Sequence, residues 1–282
     1  MSATDDADAM VKLLSERAFA KINLYLRVTG RRADGYHELD SIFVPISLSD
    51  RVSIEVRPAS VASVTLKCNV ASLGDAHTNL ATRAARGYLR EFDIAAQVNI
   101  DLQKTIPAGA GLGGGSSDAG TVLRMLASML PPRTADAEER LHKIAVSLGA
   151  DVPFFLNPRP SRVTGIGERI EALAKFPTLH LVVAVPPIEV PTVAVFKELR
   201  REEWSGPASG DVLDLTHLVN DLEAPAMRLF PEIAQLKASM LESGASAASM
   251  SGSGGAVLGI FPDEAAATSA ATALRGKAPE AT

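Results

Sequence analysis

The sequence predicts an α+β protein in two domains. Apolar residues alternate with period two in some segments and recur at helical spacing in others. The two kinds of segment are mixed without the regular strand–helix–strand rhythm of a parallel sheet. The length of 282 residues suits one large domain or two modest ones. The stretch LNPRPSRVTG (residues 156–165), rich in proline and polar residues, places a boundary near residue 160. The expected division is a loose acidic extension (1–15), a first domain (16–160) and a second (161–282).

Ile22, Leu24 and Leu26 alternate as a strand and lead into a turn-rich segment whose strongest signal is Asp34-Gly35. Strands follow at residues 41–46, around Val52, Ile54 and Val56, and around Val98, Ile100 and Leu102, with a short helix at 79–89. From Ser117 the positions Val122, Leu123, Leu126 and Leu130 recur helically until Pro131-Pro132. The next helix begins at Asp136, with Glu139 as a capping-box partner and Gly149 as its stop. Beyond the boundary lie a strand at 181–185, a polar loop at 201–211, a helix through Ile233, Leu236 and Met240, a strand at 257–261 and an alanine-rich tail from Glu264 to Ala273.

Composition narrows the function. Hydrophobic residues make up 46% and charged residues 22%, enough apolar content for a buried core. A net charge of −5 argues against a general nucleic-acid binder. A single cysteine, Cys68, excludes an intrachain disulfide framework, and five scattered histidines form no HExxH pair. The acidic start MSATDDADAM is unlike a secretory signal, and no run reaches the roughly 18 apolar residues of a membrane span, so a cytoplasmic protein without membrane partners is expected. Oligomeric state leaves no mark in the sequence.

The chemistry concentrates in Gly109-Ala110-Gly111-Leu112-Gly113-Gly114-Gly115, followed by Ser116-Ser117-Asp118. Glycine is about 7% of the chain yet fills five of these seven places. Glycine lets backbone N–H groups approach a ligand closely, and the helix that follows offers unpaired N–H groups and a dipole that favours an anion. The alternatives are a flexible turn, a Walker A loop and a dinucleotide fingerprint. The Walker loop fails because no lysine precedes Ser116. The fingerprint is weakened because no acid stands about 20 residues on, at 129–133. A second glycine–serine segment, residues 249–255, suits a second polar wall beside the first.

The loop from Pro107 to Ser117 resembles the phosphate loop of the GHMP kinase superfamily. AFAKINLYLRVTGRRADGYHELDSIF (18–43), LGADVPFF (148–155) and SMSGSGGAVLGIF (249–261) carry the resemblance further. GIGERIEAL (165–173), PTVAVFKEL (191–199) and NDLEAP (220–225) connect them in the family's order. The resemblance implies a first domain like the second domain of ribosomal protein S5 and a ferredoxin-like second domain. It implies ATP-dependent phosphorylation of the 2-hydroxyl of a methylerythritol unit in a small-molecule, cytidine diphosphate-linked substrate, with Mg²⁺ expected and no nucleic-acid partner.

By the same resemblance Lys21 and Asp151 are catalytic. The nucleotide would be held by Asn79, Leu80, Lys104, Pro107, Gly109, Gly111, Leu112, Gly113, Gly114, Gly115, Ser116 and Ser117. Asn23, Tyr36, His37, Thr192 and Phe196 would hold the substrate, with the cytosine between Tyr36 and Phe196. Spacing marks no acidic pair for Mg²⁺, though Ser116 or Ser117 can offer an oxygen. Thr78, where the family often has an acid, and Gly115 and Asp118 in the loop depart from the pattern. A kinase of another alcohol, such as homoserine or mevalonate, and a non-catalytic nucleotide binder are the rival functions.

Overall fold

The computed structural model describes residues 11–73, 75, 77–208 and 214–278. In chain order it comprises β1 (Lys12–Arg31), β2 (His37–Pro58), β3 (Ser63–Cys68), α1 (Leu80–Glu91), β4 (Ala96–Gln103), α2 (Gly114–Met129), α3 (Ala137–Leu148), β5 (Ser161–Gly165), β6 (Arg169–Ala172), β7 (His180–Ala184), α4 (Thr192–Glu198), α5 (Glu223–Leu229), α6 (Pro231–Glu242), β8 (Ala247–Met250), β9 (Val257–Phe261) and α7 (Glu264–Leu274). The α+β class holds. Residues 1–10 of the expected extension lie outside the described residues, and β1 already begins at Lys12. Residues 209–211 of the expected polar loop also lie outside them, and Arg201–Glu203 forms one 3₁₀ turn.

The contacts divide the chain into two units, each built from three segments. The first comprises Met1–Phe19, Ser49–Ile106 and Gly114–Asn157; the second comprises Ala20–Leu48, Pro107–Gly113 and Pro158–Thr282. The chain passes from one to the other within β1 and within β2.

In the first unit, Arg51–Pro58 of β2 pairs antiparallel with β4, and β3 runs parallel to β4. The alternation Val52, Ile54, Val56 on one strand and Val98, Ile100, Leu102 on the other turns one face inward, where Ala84, Tyr88, Val122, Leu126 and Ile144 from the helices cover it. Asn79 caps α1 by accepting a hydrogen bond from Ala81 N–H at 2.9 Å. The capping box expected at Asp136 does not form. Asp136 has φ −96° and ψ 15°, outside the extended geometry of a cap, and its side chain makes no cap hydrogen bond.

In the second unit, Leu39–Phe43 of β2 pairs with β5, β5 with β6, and a separate sheet has the order β7-β9-β8. Val182, Ala184, Met250, Val257 and Phe261 of that sheet form a core with Ile233, Leu236 and Met240 of α6 and Ala267, Ala270 and Leu274 of α7. The proline-rich stretch in which the boundary was expected becomes a strand from Ser161 onward. Among the described residues no helix is long and apolar enough to cross a membrane.

Candidate active site

In the second unit, Lys21 and Asn23 stand two residues apart on β1, on one face, and each is only 4% exposed. Lys21 Nζ donates to Asn23 Oδ1 at 2.7 Å and lies 4.6 Å from the centre of the Phe43 ring. Asn23 Nδ2 donates to Ser41 Oγ at 2.8 Å, and Asn23 N–H donates to Ser251 Oγ at 3.1 Å. The amide is thus oriented from both ends, with its oxygen on the ammonium.

The backbone N–H of Lys21 donates to Leu112 O at 2.9 Å, which ties β1 to the glycine loop. The two glycine segments lie directly against each other. Gly111 has φ +81°, and a Cβ there would stand 2.5 Å from Ser251 O; one on Gly254 would stand 2.3 Å from Gly111 N. Only glycine lets these backbones approach so closely. Ala256 N–H donates to Ala110 O at 3.2 Å, and Asn220 Nδ2 donates to Met250 O and Gly252 O at 2.7 and 2.8 Å. Pro107, Gly109 and Gly113 complete this part of the loop, and Leu112 anchors it at 1% exposure.

His37 stacks on Phe196 with ring centroids 5.1 Å apart, and Trp204 meets the His37 ring edge-on at 5.5 Å. Burial, and then the nearby Arg31, hold the His37 imidazole below the usual histidine range. Tyr36 is 62% exposed. Thr192 Oγ1 and Ser253 Oγ share a hydrogen bond at 2.8 Å, linking α4 to the second glycine segment.

In the first unit, Gly114, Gly115, Ser116 and Ser117 form the first turn of α2, whose N–H groups have no intrahelical acceptor. Ser117 Oγ donates to Phe19 O at 2.7 Å. A Cβ on Gly115 would lie 3.6 Å from Leu80 Cδ1, and one on Gly114 would lie 3.2 Å from Lys104 Nζ. Leu80 and Lys104 therefore flank the helix mouth. Asn79 serves as the cap of α1, with its Nδ2 donating to Leu73 O at 2.7 Å. Asp151 stands between the end of α3 and the 3₁₀ turn Pro153–Leu156. That turn is fixed to α2: a Cβ on Gly120 would be 2.5 Å from Phe155 Cβ, and Arg124 Nη1 donates to Phe155 O at 2.6 Å.

Sequence spacing missed the residues that position this machinery. Ser41 and Asn220 sit inside stretches quoted for their resemblance, yet their partners are distant along the chain, and Trp204 stood in a stretch read only as polar loop. Among the described residues no group of three or more His, Cys, Asp or Glu can hold a metal ion.

The first unit thus carries a glycine-rich helix mouth beside a buried lysine, and the second a lysine–asparagine pair beside a glycine loop. Two family models match the chain: "GHMP kinases N terminal domain" matches residues 79–158 and "GHMP kinases C terminal" matches residues 197–280. A 4-diphosphocytidyl-2-C-methyl-D-erythritol kinase of Geobacter sp. (strain M21) is 40% identical over 94% of this chain and 95% of its own. One from Anaeromyxobacter sp. (strain K) is 42% identical over 92% and 84%. A crystal structure of 4-(cytidine 5'-diphospho)-2C-methyl-D-erythritol kinase superposes with a TM-score of 0.80 at 39% identity, covering 94% of this chain and 96% of that one. The chain belongs to the GHMP kinases, and within them to the family of 4-diphosphocytidyl-2-C-methyl-D-erythritol kinases. Homoserine kinase from Cytophaga hutchinsonii shares the fold, with a TM-score of 0.67 at 17% identity over 98% of this chain and 93% of its own.

Proposed function

We propose that this chain transfers the γ-phosphoryl group of ATP to the 2-hydroxyl of 4-diphosphocytidyl-2-C-methyl-D-erythritol, a step of the non-mevalonate route to isoprenoid precursors. The observation that carries this is the 40% identity to a kinase of that name over 94% of the chain. In this assignment the N–H groups of Gly114 to Ser117 and the loop from Pro107 to Gly113 hold the phosphates, with Lys104, Asn79 and Leu80 as further nucleotide contacts. The alcohol oxygen bonds to the γ-phosphorus as the bond to the β-γ bridging oxygen breaks, and the hydroxyl proton passes to the Asp151 carboxylate. Lys21 offsets charge that builds on the transferred group, and Asn23 holds the lysine in place. Tyr36, His37, Thr192 and Phe196 bind the cytidine end.

A magnesium ion fits this arrangement as an ion carried by the triphosphate. With no acidic cluster among the described residues, phosphate and water would supply most of its shell, and Ser116 or Ser117 would be the side chain to add an oxygen. The ion would neutralise charge between the phosphates.

Asp151→Asn tests the assignment. The expected result is a kcat lower by roughly 10² to 10⁴, the scale of a lost general base, with ATP binding retained in calorimetric titration. Turnover within a few-fold of wild type would exclude the role.

A further inference from the structure

The first unit holds a cluster of buried charge of which the reaction as described uses only Lys104. Lys104 follows β4 directly, and its ammonium donates to Asp118 Oδ2 at 2.6 Å and to Asp50 Oδ2. The side chains of Lys104, Asp50 and Asp118 are 6%, 0% and 4% exposed. Asp50 is locked, because its other oxygen accepts the N–H groups of Thr105 and Ile106 at 2.5 and 2.8 Å. The backbone of Lys104 is held as well: Asn69 accepts its N–H at 2.7 Å and donates to its carbonyl at 3.1 Å.

Asp118 is different. It lies one turn beyond Gly114 on the same face of α2, and its Oδ1 is buried with no hydrogen-bond partner. One lysine thus serves two carboxylates. A buried ion group of this kind is weak support for stability, since desolvation offsets most of the attraction. It does fix a cation in place. An ammonium has three hydrogens, and the two carboxylates take two of them. The remaining one belongs to a nitrogen 3.2 Å from where a Cβ on Gly114 would be.

We propose that Asp118, with Asp50, clamps the Lys104 ammonium at the mouth of α2, which makes Asp118 a positioning residue for a nucleotide phosphate. The proposal rests on the assignment of Lys104 as a nucleotide contact. Burial lowers the Lys104 pKa, but Asp118 and Asp50 outweigh it and keep the ammonium charged. Burial pushes the Asp118 carboxyl up, with Asp50 adding to the effect and Lys104 opposing it. A neutral amide is therefore a fair mimic of one state of Asp118, and it still presents an acceptor oxygen to the lysine.

The test is a double-mutant cycle read in the KM for ATP, with the KM for the alcohol and the melting temperature followed in parallel. Asp118→Ala should raise the ATP KM about tenfold and leave the alcohol KM within about twofold. Asp118→Asn should restore the ATP KM to within about threefold of wild type. In a Lys104→Ala background, Asp118→Ala should add less than about twofold, because the lysine it positions is gone. Asp118→Ser takes the place of the alanine variant should that one not fold. An ATP KM unchanged in Asp118→Ala while Lys104→Ala raises it, or fully additive effects in the double variant, would overturn the clamp alone. An ATP KM unchanged in Lys104→Ala would overturn both the clamp and the nucleotide contact beneath it.

Discussion

Phe196 shows how much a single side chain decides. Its ring carries His37 at 5.1 Å, a stacking distance that leaves no gap for a base between the two. A cytosine must therefore replace His37 on that face or stack elsewhere. The imidazole can leave cheaply, since its depressed pKa keeps it neutral near pH 7 and it need not carry a charge out of the stack. Phe196→Ala should weaken the cytidine-linked substrate by about 1–3 kcal/mol, the scale of a lost base stack, while the ATP KM stays put. Steady-state kinetics with each substrate varied in turn checks this; an equal rise in both constants would refute the stacking role. Trp204, the only tryptophan in the chain, touches the same imidazole, so its fluorescence should change as the cytidine compound is titrated in. At this scale the sequence was legible where neighbours are local: Lys21 and Asn23 share a strand face by their spacing alone. Ser251 was not, because its bond to Asn23 spans 228 residues and no periodicity encodes such a contact.

The elements that matter most are the two glycine segments and the strand pairs that frame them. Gly254→Ala would force a Cβ to within 2.3 Å of the backbone at Gly111. Neither side can yield without moving the loop, so a loss of about 1–3 kcal/mol in stability is expected, together with a higher ATP KM. Thermal unfolding and kinetics measure both, and an unchanged melting temperature would show that the segments are not packed this way. Strand β2 is joined to β5 by charge as well as by its ladder. Arg162 donates to both oxygens of Asp40 at 2.8 and 2.7 Å, and Ala208 N–H donates at 3.2 Å. Burial raises the Asp40 pKa, but these donors outweigh it and the net shift is downward. The stabilisation is thus complete above the unfolded aspartate value, near 4, and fades as the pH falls through the lower folded value. The melting temperature of wild type should drop more steeply than that of Asp40→Asn as the pH falls below about 4; parallel slopes would remove the pair from the account. Helices α2 and α6 and strand β9 were legible because their apolar spacing is strong. Strand β6 was not, since all four of its residues are exposed and leave no alternation. The Asp136 cap misled for the opposite reason: the residue types were right, but the backbone does not enter the cap geometry.

Across the whole molecule, each unit has its own apolar core and is built from three separate stretches of chain. The α+β class could be read from mixed periodicities, but the exchange of segments within β1 and β2 could not, because nothing local marks where a long strand passes from one core to another. Function was legible to the extent that several short motifs stand in one order along the chain, since any one glycine loop holds phosphate in many settings. The most direct measurement is ADP release by the full chain with ATP and each of three alcohols: the cytidine diphosphate-linked methylerythritol, homoserine and mevalonate. The account predicts turnover with the first at a kcat/KM at least roughly 100-fold above the other two, because a site built to bind the cytidine end leaves its polar groups unpaired without it. Comparable turnover on homoserine or mevalonate, or no ADP release with the cytidine compound, would contradict it.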